Sequence, residues 1–198
     1  TMSEAHESMT TERKWPELGP CRVPAWVYTD PELFERELEK FHYGKCWNYV
    51  GLECELPKPN MYRRNFVGGR PVLMTRDAEG EIHVVENRCA HRGSPVCWAQ
   101  QGEVKDLTCP YHQWTFDMAG NLQGIPFMRG APRPNPGMPK EFDKSRHGLT
   151  KLKTHVHEGT VWASYDHDAP DFNDYVGPDI IRFLDRIFAG RELRLLGY

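Results

Sequence analysis

NRCAHRGSPVCWAQQGEVKDLTCPYHQW, residues 87–114, sets two short motifs against each other: Cys89-x-His91, 17 intervening residues, then Cys109-x-x-His112. Cys97 stands between them with no histidine close behind it. Thiols and imidazoles at such spacings are metal-ligand types. A zinc finger keeps its cysteines in one pair and its histidines in another, around a short helix. Here each loop mixes one of each. That order suits a site with a soft end and an imidazole end: two irons bridged by sulfide, thiolates on one iron and imidazoles on the other. Each loop then gives one ligand to each metal, and the two loops clamp the group from both sides. Gly93 and Pro110 fit loops that bend backbone N–H groups towards sulfide. A structural zinc module is the competing reading, and iron and sulfide analysis separates the two.

The rest of the 198 residues bounds what such a site could serve. The composition is that of an ordinary soluble protein, 39 % hydrophobic and 27 % charged, with a net charge of −3. Nothing in that balance points to nucleic acid or an anionic membrane as partner. The opening TMSEAHESMTTERKWPELGP is polar and lacks the charged-then-apolar pattern of an export signal; the threonine before Met2 reads as an appended residue. No apolar run approaches the length needed to span a bilayer. Six cysteines are too few for a disulfide scaffold, so a reducing cytoplasm is expected.

Along the chain, residues 1–29 read as an irregular arm. Asp30-Pro31 opens a helix, with an N-cap acceptor, proline at the first position and Glu32 in the first turn. Leu33, Phe34, Leu38 and Phe41 then predict one buried face, ending near Gly44. From Cys46 to about Tyr165 the period falls to two. YRRNFVGGRPVLMTRDAEGEIHVVEN holds three strand-like runs with DAEG as a hairpin turn, and HQWTFDMAGNLQG repeats the plan around MAGN. LTKLKTHVH and TVWASYD form a last pair, and the proline-rich 129–142 reads as a surface loop. Helical spacing returns after Asp166, broken at Pro178 and stopped at Gly190, and RELRLLGY opens a strand without a partner, as if the chain continues in nature. The fold class is therefore mainly β (α+β): an antiparallel β domain over 45–165, an arm and helix over 1–44, and a helical linker with a first strand over 166–198.

At this point the sequence resembles a known family. CAHRG and CPYHQW look like the Rieske fingerprint of the large (α) subunits of aromatic-ring-hydroxylating oxygenases. The likeness extends through NYVGLECELP, HGLTKLK, ASYDHD and GPDIIRFLDRIFAGRELRLLGY. The branch resembled hydroxylates benzoates that bear a second polar group, salicylate among them. The resemblance implies that Cys89 and Cys109 bind the inner iron of a [2Fe–2S] cluster and that His91 and His112 bind the outer one. It implies that Tyr111 and Trp114 form an aromatic shell and that Arg92 supports the loop. Rieske proteins of respiratory complexes place a serine hydroxyl near a sulfide where this chain has Trp114. With fewer hydrogen bonds to sulfur, a potential near the low end of the Rieske range is expected, roughly −150 mV.

The family also implies a mononuclear Fe(II) held by an Asp-x-x-His-x4-His segment, and no such spacing occurs in these residues. No catalytic residue is expected here. The expected role is electron transfer, from a ferredoxin or an NAD(P)H-dependent reductase to that iron in a neighbouring α subunit of a trimer, with or without a small β subunit. The alternative is a stand-alone Rieske-type ferredoxin, which has no need of the flanking helices. Cys97 reads as a buried structural thiol, and Cys21, Cys46 and Cys54 as packing residues. His155-x-His157 with Glu158 could supply an iron site in principle, but reads as a solvent-facing alternation. His83 is expected to face solvent or the cluster, and His167 to lie in a turn.

Overall fold

The computed structural model describes residues 13–15, 19–131 and 137–197. The first twelve residues and the centre of the proline-rich stretch lie outside that set.

Helix α1, Pro31–Glu37, starts as its sequence dictates: Asp30 Oδ1 accepts from the N–H of Leu33 at 3.0 Å. It runs on through a wider turn, Leu38–His42, closed by the N–H of Tyr43 donating to the Leu38 carbonyl at 2.9 Å. That turn corrects the expected buried face. Leu38 is buried, but Phe34 and Phe41 are 56 % and 53 % exposed, and the i→i+5 turn carries Phe41 off the 3.6-residue line through Leu38.

Among the described residues ten strands follow: β1 Asn48–Leu52, β2 Met61–Val67, β3 Arg70–Arg76, β4 Ile82–Glu86, β5 Gln101–Glu103, β6 Leu107–Thr108, β7 Thr115–Phe116, β8 Leu122–Gly124, β9 Lys153–His157 and β10 Thr160–Ser164. They form three antiparallel sheets ordered β1-β10-β9, β4-β3-β2-β5 and β6-β7-β8. The central β3 explains why PVLM is an unbroken apolar run. Val72 and Met74 face a core shared with Val50, Val84 and Val161 of the first two sheets. Leu73, pointing the other way, joins Val85 in a core with Cys89, Cys109, Trp114 and Phe116. A strand covered on both faces needs no polar alternation. The middle sheet is thus sandwiched between the first sheet and the module that carries the two Cys/His loops.

Two hairpins use one device. Asp77 Oδ1 accepts from the N–H groups of Glu79 and Glu81, while the N–H of Gly80 donates to the Asp77 carbonyl. Asp117 and Gly120 repeat it: Asp117 Oδ1 takes the N–H of Asn121 at 2.8 Å, and the N–H of Gly120 donates to the Asp117 carbonyl at 3.0 Å. Gly120 sits at φ +80°, where a Cβ would lie 3.0 Å from Val85 Cγ1. The turn therefore needs glycine for its backbone and for close approach to β4.

Helices α2, Phe172–Val176, and α3, Pro178–Phe188, cover the first sheet through a third core of Trp47, Phe172 and Ala169. Pro178 starts α3 and Gly190 follows it at φ +65°, as the sequence requires. The strand expected in RELRLLGY is absent among the described residues: 191–197 are irregular and pair with none of the three sheets. Among the described residues no helix is long and apolar enough to cross a membrane.

Candidate metal centre

Both Cys/His loops fold into the same knuckle. In the first, the N–H of Cys89 donates to the Ser94 carbonyl at 2.8 Å and the N–H of Gly93 to the Cys89 carbonyl at 2.9 Å. In the second, the N–H of Cys109 donates to the Trp114 carbonyl and that of Gln113 to the Cys109 carbonyl, both at 2.9 Å. The fourth residue after each cysteine takes the left-handed conformation, Gly93 at φ +76° and Gln113 at φ +56°. The sequence reading found the glycine of this pair and missed the glutamine, whose side chain gives no turn signal.

The knuckles sort their donors by type. Cys89 and Cys109 are 4 % and 1 % exposed, and their sulfurs lie within hydrogen-bonding reach of each other. Burial pushes the Cys89 thiol up, opposed by the N–H groups of His91 and Arg92 that point at its sulfur. Further out, the rings of His91 and His112 stand 4.7 Å apart at 74°. Burial, then the neighbouring His112 and Arg92, favour the neutral form of His91. Among the described residues no three His, Cys, Asp or Glu side chains converge to hold a single ion. The donors form instead a thiol pair and an imidazole pair. This is a fit for a two-metal group with a thiolate end and an imidazole end, and N–H groups aimed at sulfur suit its anionic inner half. A single tetrahedral zinc would need all four donors at one point.

The residues expected around the ligands are distributed unevenly. Trp114 is buried and stacks on His91 at 4.8 Å and 9°, while Tyr111 lies 3.8 Å from His112 and is exposed. Arg92 is exposed, with its guanidinium 6.0 Å from the Tyr111 ring. Arg88 also lies beside the loop, its Nε 3.2 Å from where a Cβ on Gly93 would stand. His91, His112 and Trp114 open onto a cleft of about 850 Å³ walled by Ile125, Phe127, Phe142 and His147.

Cys97 is buried in the same core, and burial lifts its thiol to about 11, so it stays protonated. Its backbone is pinned by Asn87, which was missed from sequence. The Asn87 amide oxygen accepts from the N–H groups of Val96 and Cys97, each at 2.9 Å, and its amide nitrogen donates to the Cys97 carbonyl at 2.8 Å. Buried asparagine directly before a ligand loop was the available signal. The other three cysteines are not core residues: Cys21 is exposed and Cys46 and Cys54 are partly so.

Four other histidines are engaged elsewhere. His83 Nε2 lies 2.7 Å from Asp77 Oδ2, away from the knuckles. His167 lies 3.0 Å from the Lys151 carbonyl. His155 and His157 do not alternate into solvent, since α2 and α3 cover that face. His155 stacks on Phe172 at 4.5 Å, and His157 bonds Asp185 of α3 at 2.8 Å.

Residues 46–139 match the Rieske [2Fe-2S] domain, and the chain carries that domain. It is homologous to the large oxygenase components of aromatic-ring-hydroxylating enzymes. Over 188 residues it is 50 % identical to the large oxygenase component of salicylate 5-hydroxylase from Ralstonia sp., covering 93 % of this chain and 44 % of that protein. It is 42 % identical to the anthranilate 1,2-dioxygenase large subunit of Burkholderia cepacia, covering 84 % of this chain and 39 % of that subunit. Naphthalene 1,2-dioxygenase from Rhodococcus sp., with indole bound, superposes with a TM-score of 0.72 at 30 % identity, covering 83 % of this chain and 36 % of that one. The chain spans under half the length of the relatives it matches.

Proposed function

We propose that Cys89, Cys109, His91 and His112 bind a Rieske [2Fe–2S] cluster and that the chain is the electron-transfer part of an aromatic-ring-hydroxylating oxygenase. The observation that carries this is the pairing of donors by type, two buried thiols behind two outward imidazoles. When bound, the group supplies storage and release of single electrons. The chain's own residues define the path. The thiols sit in the core and keep water from the sulfur end, while each imidazole has one nitrogen for iron and another facing outward. Loading requires that the thiols give up their protons, against the burial that raises Cys89. It should therefore release protons and weaken in acid.

By this reading the donor is a ferredoxin or an NAD(P)H-dependent reductase. The acceptor is a mononuclear Fe(II) in a neighbouring large subunit of a trimer, with or without a small subunit. Electrons leave through His112. The substrate is an aromatic acid, salicylate being the candidate because salicylate 5-hydroxylase is 50 % identical. Residues 45–165 serve as the Rieske unit, 1–44 as an arm and 166–198 as the link to a catalytic domain. Free thiols throughout fit work in the cytoplasm. The stand-alone ferredoxin alternative leaves α2 and α3 without a role, whereas 93 % of the chain aligns with an oxygenase component.

The test is chemical analysis of the chain purified without oxygen. Two irons and two acid-labile sulfides per chain are expected, with a Rieske-type paramagnetic resonance spectrum and a midpoint near −150 mV. Zinc without sulfide, or a midpoint above zero, would overturn the reading.

A further inference from the structure

We propose that Phe142 and His147 are positioning residues for the imidazole end of the centre, acting on His91 through Trp114. The inference rests on the ligand reading above and extends it to a loop outside both knuckles. A metal-bound imidazole is fixed at one nitrogen, yet its plane can still turn about the bond, and that plane tunes its strength as a donor. Something must therefore hold the plane of His91, which lies at the surface. The Trp114 indole lies parallel to it at 4.8 Å and 9°.

Trp114 is itself held by rings. Phe142 meets it edge-on at 6.1 Å and 85°, and His147 meets it at 6.3 Å and 69°. These two stack on each other at 4.3 Å and 28°. The quadrupoles of oriented aromatic pairs like these favour set angles between the rings, so each ring restrains the plane of the next. The far end of the stack is anchored as well. His147 Nδ1 lies 2.8 Å from the Asp143 carbonyl, which can only accept, so Nδ1 carries the proton. The Asp143 carboxylate in turn accepts from the Ser145 N–H at 2.9 Å and the Ser145 hydroxyl at 2.7 Å, closing the turn that carries both rings. Ile125 and Met138 pack on the same core without joining the stack. Aliphatic side chains suffice for cover, so the ring pair has a directional task.

The experiment uses the cluster-loaded chain with Phe142→Leu and His147→Ala, the conservative variants Phe142→Tyr and His147→Phe, and Ile125→Ala as control. Iron and sulfide content, the nitrogen hyperfine couplings of the two imidazoles by pulsed paramagnetic resonance, and the midpoint potential are measured on each. Phe142→Leu and His147→Ala should keep their iron while altering the coupling of one imidazole and shifting the midpoint. Phe142→Tyr and Ile125→Ala should match the parent, and His147→Phe, which keeps the ring but loses the Nδ1 anchor, should stay closer to the parent than His147→Ala does. Unchanged couplings and midpoint in Phe142→Leu and His147→Ala at full iron load would overturn the proposal, as would an equal change in Ile125→Ala. Should His147→Ala lose its iron, retention by His147→Phe supports the brace and loss in both overturns it. A parent chain that takes up no iron or sulfide instead sinks the ligand reading itself.

Discussion

Cys89, Cys97 and Cys109 share one core, and only their surroundings separate ligand from packing residue. Cys97 faces the Tyr62 hydroxyl, with which it exchanges a hydrogen bond, rather than another thiol. Replacing Cys89 or Cys109 by serine should therefore abolish the visible absorption of the loaded chain and lower its melting temperature, because metal binding and folding are coupled. Cys97→Ser should keep the absorption at a cost of about 1 kcal/mol, read from urea unfolding; bleaching there would overturn the four-ligand count. Asn87→Ala should be the more damaging change. It strands two N–H groups and a carbonyl inside the core, which costs about 2–4 kcal/mol by the usual penalty for unsatisfied groups. The four ligands were legible because their chemistry is local in sequence. Asn87 was not, because its three partners lie nine and ten residues further on and only the fold makes them neighbours.

At the scale of elements, what the sequence announces is what neighbouring residues determine among themselves. The N-cap at Asp30, the break at Pro178 and both Asp-x-x-Gly turns are of this kind. Burial pulls the Asp77 carboxyl up, yet the hydrogen bonds from His83 and from the N–H groups of Glu81 and Glu79 prevail and hold it below the usual carboxylate range. A group with a depressed folded pKa adds stability above its unfolded value, near pH 4, and loses it as the pH falls through the folded one. Asp77→Asn should thus cost about 1 kcal/mol at neutral pH, and the gap between variant and parent should close as the pH falls below the usual carboxylate range. The knuckles carry the converse lesson. Gln113 bears a left-handed backbone without glycine's freedom, so Gln113→Gly should stabilise the chain by about 0.5–1 kcal/mol without altering the spectrum. Gly93→Ala should destabilise it, because the added methyl meets Arg88 as well as an unfavourable φ. Strands β5 and β6 were missed from sequence, being three and two residues long and ordered by the partners they reach.

Across the whole molecule, the helices after residue 171 decide which face of the first sheet meets water. Phe172, fully buried, packs against Trp47, Trp162, His155 and His157. Phe172→Ala should cost about 3–5 kcal/mol and expose His155, detectable by faster modification with diethyl pyrocarbonate. The mistaken solvent-facing reading of His155 and His157 has this cause: docking of α2 and α3 is long-range and leaves no period in β9. Two cores meet at the middle sheet, so whatever loosens the knuckles reaches the first sheet through Val84 and Val85, adjacent residues on opposite faces of β4. The outer rim of β4 is not bare. Residues 150–152 lie along it, the Thr150 carbonyl accepting from the Glu86 N–H at 2.8 Å and the Leu152 N–H donating to the Val84 carbonyl at 2.9 Å. A newly made chain still waiting for iron would otherwise offer that row of amides to its neighbours as a template for cross-chain strand addition, a common route to aggregation. The short zipper at 150–152 closes that template with the chain's own backbone, so β4 has no free row of amides to offer a second chain.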